Sequence, residues 1–563
     1  GWGYLFCKAF GGFDFTWLLP LFLALLAIAF VNPSGNFPLN DDWQYAYPVM
    51  TLVQQGDLVF QGIFAPNILL QVGWGYLFCK AFGGFDFTWL RVSTLVLAFA
   101  AVWIFARLCR RAGVEKQVAW LGAAALGFSP LFFLLGFTFM SDVPFLALCL
   151  GSLLCFFNYL HRVAELQFGG GTLRQTGVWR HGFWLFAACL FAIGSYFIRQ
   201  PGIIFLPAFA IFIFWQNRRS VANWLLIFFL LLLTAATWFF MERWLKPSLG
   251  ISQNYVPVGE KYFQAMLETP AAVLSEWIKK LVKTLVYLGF FALSLLPFLW
   301  EKMKRRRLFT AKNWLVILPL NALILFYLWR IGKVFPFGGN ILFNFGLGTE
   351  LLADVYTLGL PNTPRLPDWT MLAVNFISQL SISFLLIFLV KSWWTLLPEN
   401  RRFAKFLILA NCIYLPLLSI TSFFDRYLLL PIASFFFVLL LFVDRQELRF
   451  PSLKWLLFLM MSTFSLLATK DYMNWNRARH EAFNYLISNG VDIREMDAGY
   501  EYNGFFNYHP DRLEKEGRSF WWVTDDEWMI AFGDVSGYRQ VKSFPYRRWL
   551  FLKNDAVLVL QRE

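Results

Sequence analysis

Two stretches of the chain, Val221 to Phe240 and Met371 to Val390, each run for twenty residues without a charged side chain. About 20 residues of helix cross the ~30 Å hydrocarbon layer of a bilayer, where no water is available to satisfy a bare backbone. Segments of this kind predict membrane-spanning helices. Only 15% of the 563 residues are charged and 58% are hydrophobic, whereas soluble proteins are about a quarter charged. Most of the chain therefore cannot face water.

With these two, the apolar runs at 17–31, 89–106, 117–137, 143–160, 182–198, 202–215, 221–240, 281–299, 314–330, 371–390, 404–421, 427–443 and 454–469 make about thirteen spans in all. The stretch 67–86 is apolar too, but Gly73, Gly75, Gly83 and Gly84 interrupt it. Its Trp74 and Tyr76, with Trp89, suit the headgroup layer, so it is read as an interfacial helix. With that choice the basic clusters share one side. They are Arg107/Arg110/Arg111, Arg218/Arg219, Lys302/Lys304/Arg305/Arg306/Arg307, Arg401/Arg402/Lys405 and Arg445/Arg449/Lys454.

That clustering is the positive-inside pattern, and it accounts for the net charge of +14 without nucleic acid. It makes the N-terminus cytoplasmic. The opposite face then holds the loops 32–88, 241–280 and 331–370 and everything after about Lys470. None of the seven cysteines lies beyond Cys412, and no CxxC pair occurs, so neither a disulfide framework nor a thiolate metal site is implied.

Residues 1–18 repeat residues 73–90 letter for letter. Repeat architectures use several diverged copies. A single perfect copy at the start of the chain is expected to be an artificial duplication, and it is set aside. The expected layout is a transmembrane region over 19–470 and a non-cytoplasmic soluble domain over 471–563. In that last part, 474–489 has helical spacing ended by Gly490, and SFWWVT, WMIAFG and AVLVLQ read as short strands, a small α+β unit.

Candidate chemistry gathers on the non-cytoplasmic face. Asp41 and Asp42 lie in the first loop, within NDDWQYAYP; paired carboxylates suit a general base or a divalent-cation site. A plainer reading has Asp42 capping a helix that begins at Trp43. In the next turn Asp142 precedes Pro144, a pattern that also fits a helix start. Arg199-Gln200-Pro201-Gly202 offers an arginine able to clamp a phosphate or to snorkel to the headgroups. Asp425-Arg426-Tyr427 offers a local ion pair or a second cation for the same pocket.

DDWQYAYPVMTLVQQGDL, the later SDVPF and the RYLLLP of Arg426–Pro431 resemble the GT-C superfamily of membrane glycosyltransferases. The likeness is greatest to its protein-mannosyltransferase and lipid A aminoarabinose-transferase branches. It implies an all-α polytopic fold and an inverting transfer of sugar from a polyprenyl-phosphate donor to an acceptor glycan, lipid or protein on the outer, periplasmic face of the cell membrane. By resemblance Asp41 takes the place of the catalytic base, Asp42 of its neighbouring acid and Asp142 of the second-loop acid. Arg199, Gln200, Arg426 and Tyr45 are the expected substrate-binding residues. A divalent metal (Mg or Mn) on Asp42 and Asp142 is the cofactor to weigh. The aminoarabinose branch carries Glu-Lys-Pro in the interfacial helix, where this chain has Asn67-Ile68-Leu69-Leu70-Gln71.

Absent motifs narrow the field. There is no GxxxxGK[ST], no HExxH and no GxSxG, and Gly169-Gly170-Gly171 lacks the lysine of a phosphate loop. The rival classes are a flippase or transporter of lipid-linked glycans, which would carry charge along a path through several spans, and a non-catalytic scaffold, which leaves Asp41 and Asp142 without a purpose.

Overall fold

The computed structural model describes residues 18–61, 67–168, 176–216, 220–249, 258–332, 335–344, 346–417, 423–449, 453–509, 522–523 and 525–563. The duplicated segment up to residue 17, the Gly169–Gly171 run, Arg218 and Arg219, and all of SFWWVT except Trp522 and Val523 lie outside them.

Among the described residues six helices are long and apolar enough to cross a membrane: Phe87–Arg111, Asp142–Arg162, Val221–Ser248, Ala311–Arg330, Asp368–Thr395 and Leu453–Ser488. Two bent pairs raise the number to eight. The chain is a multi-pass membrane protein, and its described residues hold fewer uninterrupted spans than the thirteen expected from hydropathy.

The breaks have local causes. The apolar run 117–137 is two helices, Lys116–Gly127 and Pro130–Gly136, bent by 69°. Proline at 130 disfavours helical backbone at Ser129 before it. The run 281–299 folds as Pro270–Ala292 and Leu296–Arg305, bent by 98°, with Pro297 in the first turn of the second helix. Three further apolar helices are short: Phe22–Val31, Gly182–Tyr196 and Gln200–Gln216.

Side chains sort as a bilayer solvent demands. Leu225 and Phe228 on one spanning helix, and Leu315 and Leu323 on another, are exposed. Asn375, Ser378 and Gln379 of the Asp368–Ser392 helix are buried, with Gln379 donating to Asn375 at 2.9 Å. Where that helix meets Pro270–Ala292, a Cβ on Gly289 would stand 2.0 Å from the Ser378 carbonyl oxygen. Small residues let membrane helices approach closely, since packing must replace the hydrophobic drive that lipid removes.

The loop 32–88 carries helices at Asp42–Gln54 and Leu69–Ala81, the second where the interfacial helix was expected. The Leu456–Ser488 helix runs 33 residues without a break. It passes straight through the expected boundary at 470/471, so the last span and the predicted helix 474–489 are one rod. Beyond it four strands form a sheet in the order Met496–Asp497, Trp528–Ala531, Lys553–Arg562, Tyr538–Arg548, parallel in the first pair and antiparallel in the others. Trp528–Ala531 and Lys553–Arg562 match expected strands, whereas the eleven-residue Tyr538–Arg548 was not anticipated. The Asp471 carboxylate accepts from Leu550 N–H at 3.0 Å, fixing the tip of the last hairpin to the rod.

Candidate active site

The site is built on the loop after the first apolar helix. Two buried arginines thread that loop. Arg91, on the Phe87–Arg111 span, donates to the carbonyls of Pro33 at 3.0 Å and Gly35 at 2.7 Å, and to Phe37 O. Arg479, on the long rod, donates to Pro38 O at 3.3 Å and pairs with Glu501 at 2.7 Å, both side chains fully buried. Glu501 in turn accepts from Asn40 N–H at 3.2 Å. A buried charge persists only when paired and hydrogen-bonded, so these contacts hold the loop in one course. Asn40 takes a positive φ of 53°, which asparagine tolerates, and its Oδ1 accepts from Asp41 N–H at 2.8 Å.

The two adjacent aspartates then point into different surroundings. Asp42 is fully buried, and its oxygens accept main-chain N–H groups from Leu39 at 2.7 Å and Phe139 at 3.2 Å. Burial pushes its carboxyl up to about 7, with Arg91 and the two N–H groups opposing. Asp42 is therefore a buried strut joining two loops, not a partner of Asp41 in one pocket. The capping expectation fails as well. Asp41 occupies the N-cap and makes no side-chain cap bond, so its carboxylate is spent elsewhere.

Asp41 Oδ2 accepts from Arg426 Nη1 at 2.8 Å, and Asp41 Oδ1 accepts from the Tyr500 hydroxyl at 3.0 Å. The Arg426 side chain is only 7% exposed, and its guanidinium also lies over the Phe424 and Tyr427 rings, 5.0 and 5.6 Å from their centroids. Arg199 pairs with Asp142 and lies 4.8 Å from the same Tyr427 centroid. One tyrosine ring thus carries two guanidinium groups, and each guanidinium holds one carboxylate. Tyr45 lies within the electric field of both pairs, and burial pushes its phenol up to about 12. Three buried polar atoms at this cluster have no hydrogen-bond partner among the described residues: Arg426 Nε, Asp142 Oδ2 and, next to Arg199, Gln200 Nε2.

Asp425 does not pair locally with Arg426. It accepts the N–H groups of Ile341 at 3.1 Å, Leu342 at 2.7 Å and Arg426 at 2.9 Å, and burial pushes its carboxyl up to about 6. It pins the loop 331–370 to the site. That leaves the Arg426 guanidinium for Asp41.

Of the residues named from the sequence, Asp41, Asp142, Arg199, Arg426 and Tyr45 come together, with Gln200 adjoining Arg199; Asp42 stands apart. A metal on Asp42 and Asp142 does not fit this arrangement. Both Asp42 oxygens face main-chain N–H groups, Asp142 is paired to Arg199, and no three His, Cys, Asp or Glu side chains converge among the described residues. Tyr500 and Gln44 went unrecognised in the sequence. Gln44 sits three residues after Asp41, a helical spacing that could have flagged it, but nothing local marks a tyrosine more than 450 residues away.

No family model matches the sequence, and no curated protein matches it. Among solved structures, the apo crystal structure of ArnT from Cupriavidus metallidurans is similar over 88% of this chain and 85% of that chain, at 14% identity and a TM-score of 0.38.

Proposed function

We propose that the chain is a GT-C-type membrane glycosyltransferase, moving a sugar from a polyprenyl-phosphate donor to an acceptor hydroxyl at the outer face of the membrane. The observation that carries this reading is the paired cluster: Asp41 on Arg426 and Asp142 on Arg199, around Tyr427. A buried guanidinium, Arg426, and a half-buried one, Arg199, offer planar forks that match phosphate oxygens, and among the described residues Arg426 has a donor to spare in Nε. A site beside apolar helices lets the prenyl chain stay in hydrocarbon while its phosphate meets the arginines.

In the proposed reaction an acceptor oxygen attacks the sugar's anomeric carbon as the bond to the phosphate oxygen breaks. The polyprenyl phosphate leaves with the bonding pair, and its growing charge is met by Arg426 and Arg199. The acceptor's proton passes to Asp41, a general-base contribution of ~10²–10⁴-fold. A single displacement inverts the anomeric centre. Before donor binds, Arg426 occupies Asp41 Oδ2. A phosphate that takes over Arg426 frees that oxygen to receive the proton, so the geometry supports donor binding before chemistry.

The test is transfer by purified protein in nanodiscs, offered a panel of polyprenyl-phosphate sugars and hydroxyl acceptors, with the anomeric configuration of the product read by NMR. An inverted product supports the proposal. Movement of lipid-linked sugar across the bilayer without any transfer would favour the flippase reading instead.

A further inference from the structure

The Tyr500–Asn507 helix belongs to the part of the chain beyond the long rod, yet it lies directly on the site. It packs against Trp43: the Tyr500 and Trp43 rings stand edge-to-face at 5.9 Å, with Trp522 5.6 Å from Trp43. A Cβ on Gly504 would come within 2.4 Å of the Trp43 ring, so only glycine lets the helix seat this closely. Glu501, the residue after Tyr500, holds Asn40 and Arg479. Two independent anchors thus fix where Tyr500 stands.

The hydrogen-bond directions follow from simple counting. A phenol has one proton to give. Gln44 Nε2 donates to the Tyr500 oxygen at 3.0 Å, and the same oxygen lies 3.0 Å from Asp41 Oδ1. The Tyr500 proton therefore goes to Asp41. Burial, and then the facing Asp41 carboxylate, hold this phenol well above the usual tyrosine range, so it stays a donor.

We infer that Tyr500 is a positioning residue for Asp41, and that the C-terminal segment is thereby a built-in part of the site rather than an appended module. This rests on the transferase reading above, in which Arg426 turns from Asp41 to the donor phosphate. Once Arg426 leaves, Tyr500 is what keeps the carboxylate aimed at the acceptor. Its oxygen bonds Oδ1 and leaves Oδ2, the oxygen that Arg426 vacates, to receive the proton.

The test uses Tyr500→Phe, which keeps the ring against Trp43 and removes only the hydroxyl. The kcat for sugar transfer should fall by about 10-fold or more, while donor and acceptor KM stay within about twofold. In an Asp41→Asn background the same change should add no further loss, because it acts only through Asp41. Gln44→Leu, which removes the group that orients the phenol, should give a smaller fall of the same kcat-only kind. A wild-type kcat in Tyr500→Phe, or losses that multiply in the double variant, would overturn the inference. Melting temperatures of the four proteins in the cycle supply a readout that needs no activity: coupled residues give shifts that do not add. If the wild-type protein transferred no sugar, the transferase reading would fall, while additive or non-additive melting shifts would still decide whether Tyr500 holds Asp41.

Discussion

At the scale of single residues, the two neighbouring aspartates show how one peptide bond separates two kinds of chemistry. Asp41 faces a guanidinium and a phenol, whereas Asp42 faces backbone. Substitutions should separate them. Asp42→Asn replaces an acceptor with an amide that repels a buried N–H, and should cost about 1–3 kcal/mol of stability. For Arg426 the expectation is a functional loss: Arg426→Ala should weaken use of a phosphate-linked donor, and Arg426→Lys should restore it only in part, lacking the planar fork. Donor-dependence curves with a melting control check both.

Asp42 and Asp425 carry a pH signature as well. Burial raises their carboxyls to about 7 and about 6, above the ~4 of an unfolded chain. The folded state then binds more protons than the unfolded state between those values, so stability falls as pH rises. Their contribution is fully present below about pH 4 and is lost as pH climbs through 6 to 7. A melting series across that range should show the decline, and Asp425→Asn should flatten it.

At the scale of elements, the apolar helices were legible because twenty uncharged residues admit few other structures. Their breaks were less so. Hydropathy registers the apolar run 117–137 but not the 69° bend at Pro130, and it cannot register that the last span continues unbroken to Ser488. The rod's second half matters through Arg479, whose buried pair with Glu501 joins rod, loop and C-terminal helix. Removing one partner leaves a buried charge alone and should cost ~3–5 kcal/mol. Glu501→Leu should therefore destabilise severely, and the double change Arg479→Met/Glu501→Leu should recover much of the loss. Equal damage in the single and double variants would contradict that account.

At the scale of the whole molecule, the carboxylates and arginines could be read from the sequence one by one, because each stands in a short motif beside an apolar run. Their pairing could not. Asp41 meets Arg426 across 385 positions and Tyr500 across 459, and long-range contacts of that kind leave no local trace. The sidedness expected from the basic clusters has a direct check. Cysteines at Ser34 and at Leu552, 77% exposed at the hairpin tip, should react with an impermeant thiol reagent in intact cells, and one at Lys304 should not. Labelling at Lys304 alone would invert the arrangement and place the site on the other face.

The central claim is that Asp41 receives the acceptor's proton during transfer from a phosphate-linked donor. Asp41→Asn keeps the side chain's shape but removes the base and the charge that strengthens its bond from Tyr500. Sugar transfer from a polyprenyl-phosphate donor should be measured for wild type and variant in nanodiscs, with donor binding followed in parallel. Turnover should drop by ~10²-fold or more while the variant still folds and still binds donor. An Asp41→Asn protein that transfers sugar at the wild-type rate would contradict the account.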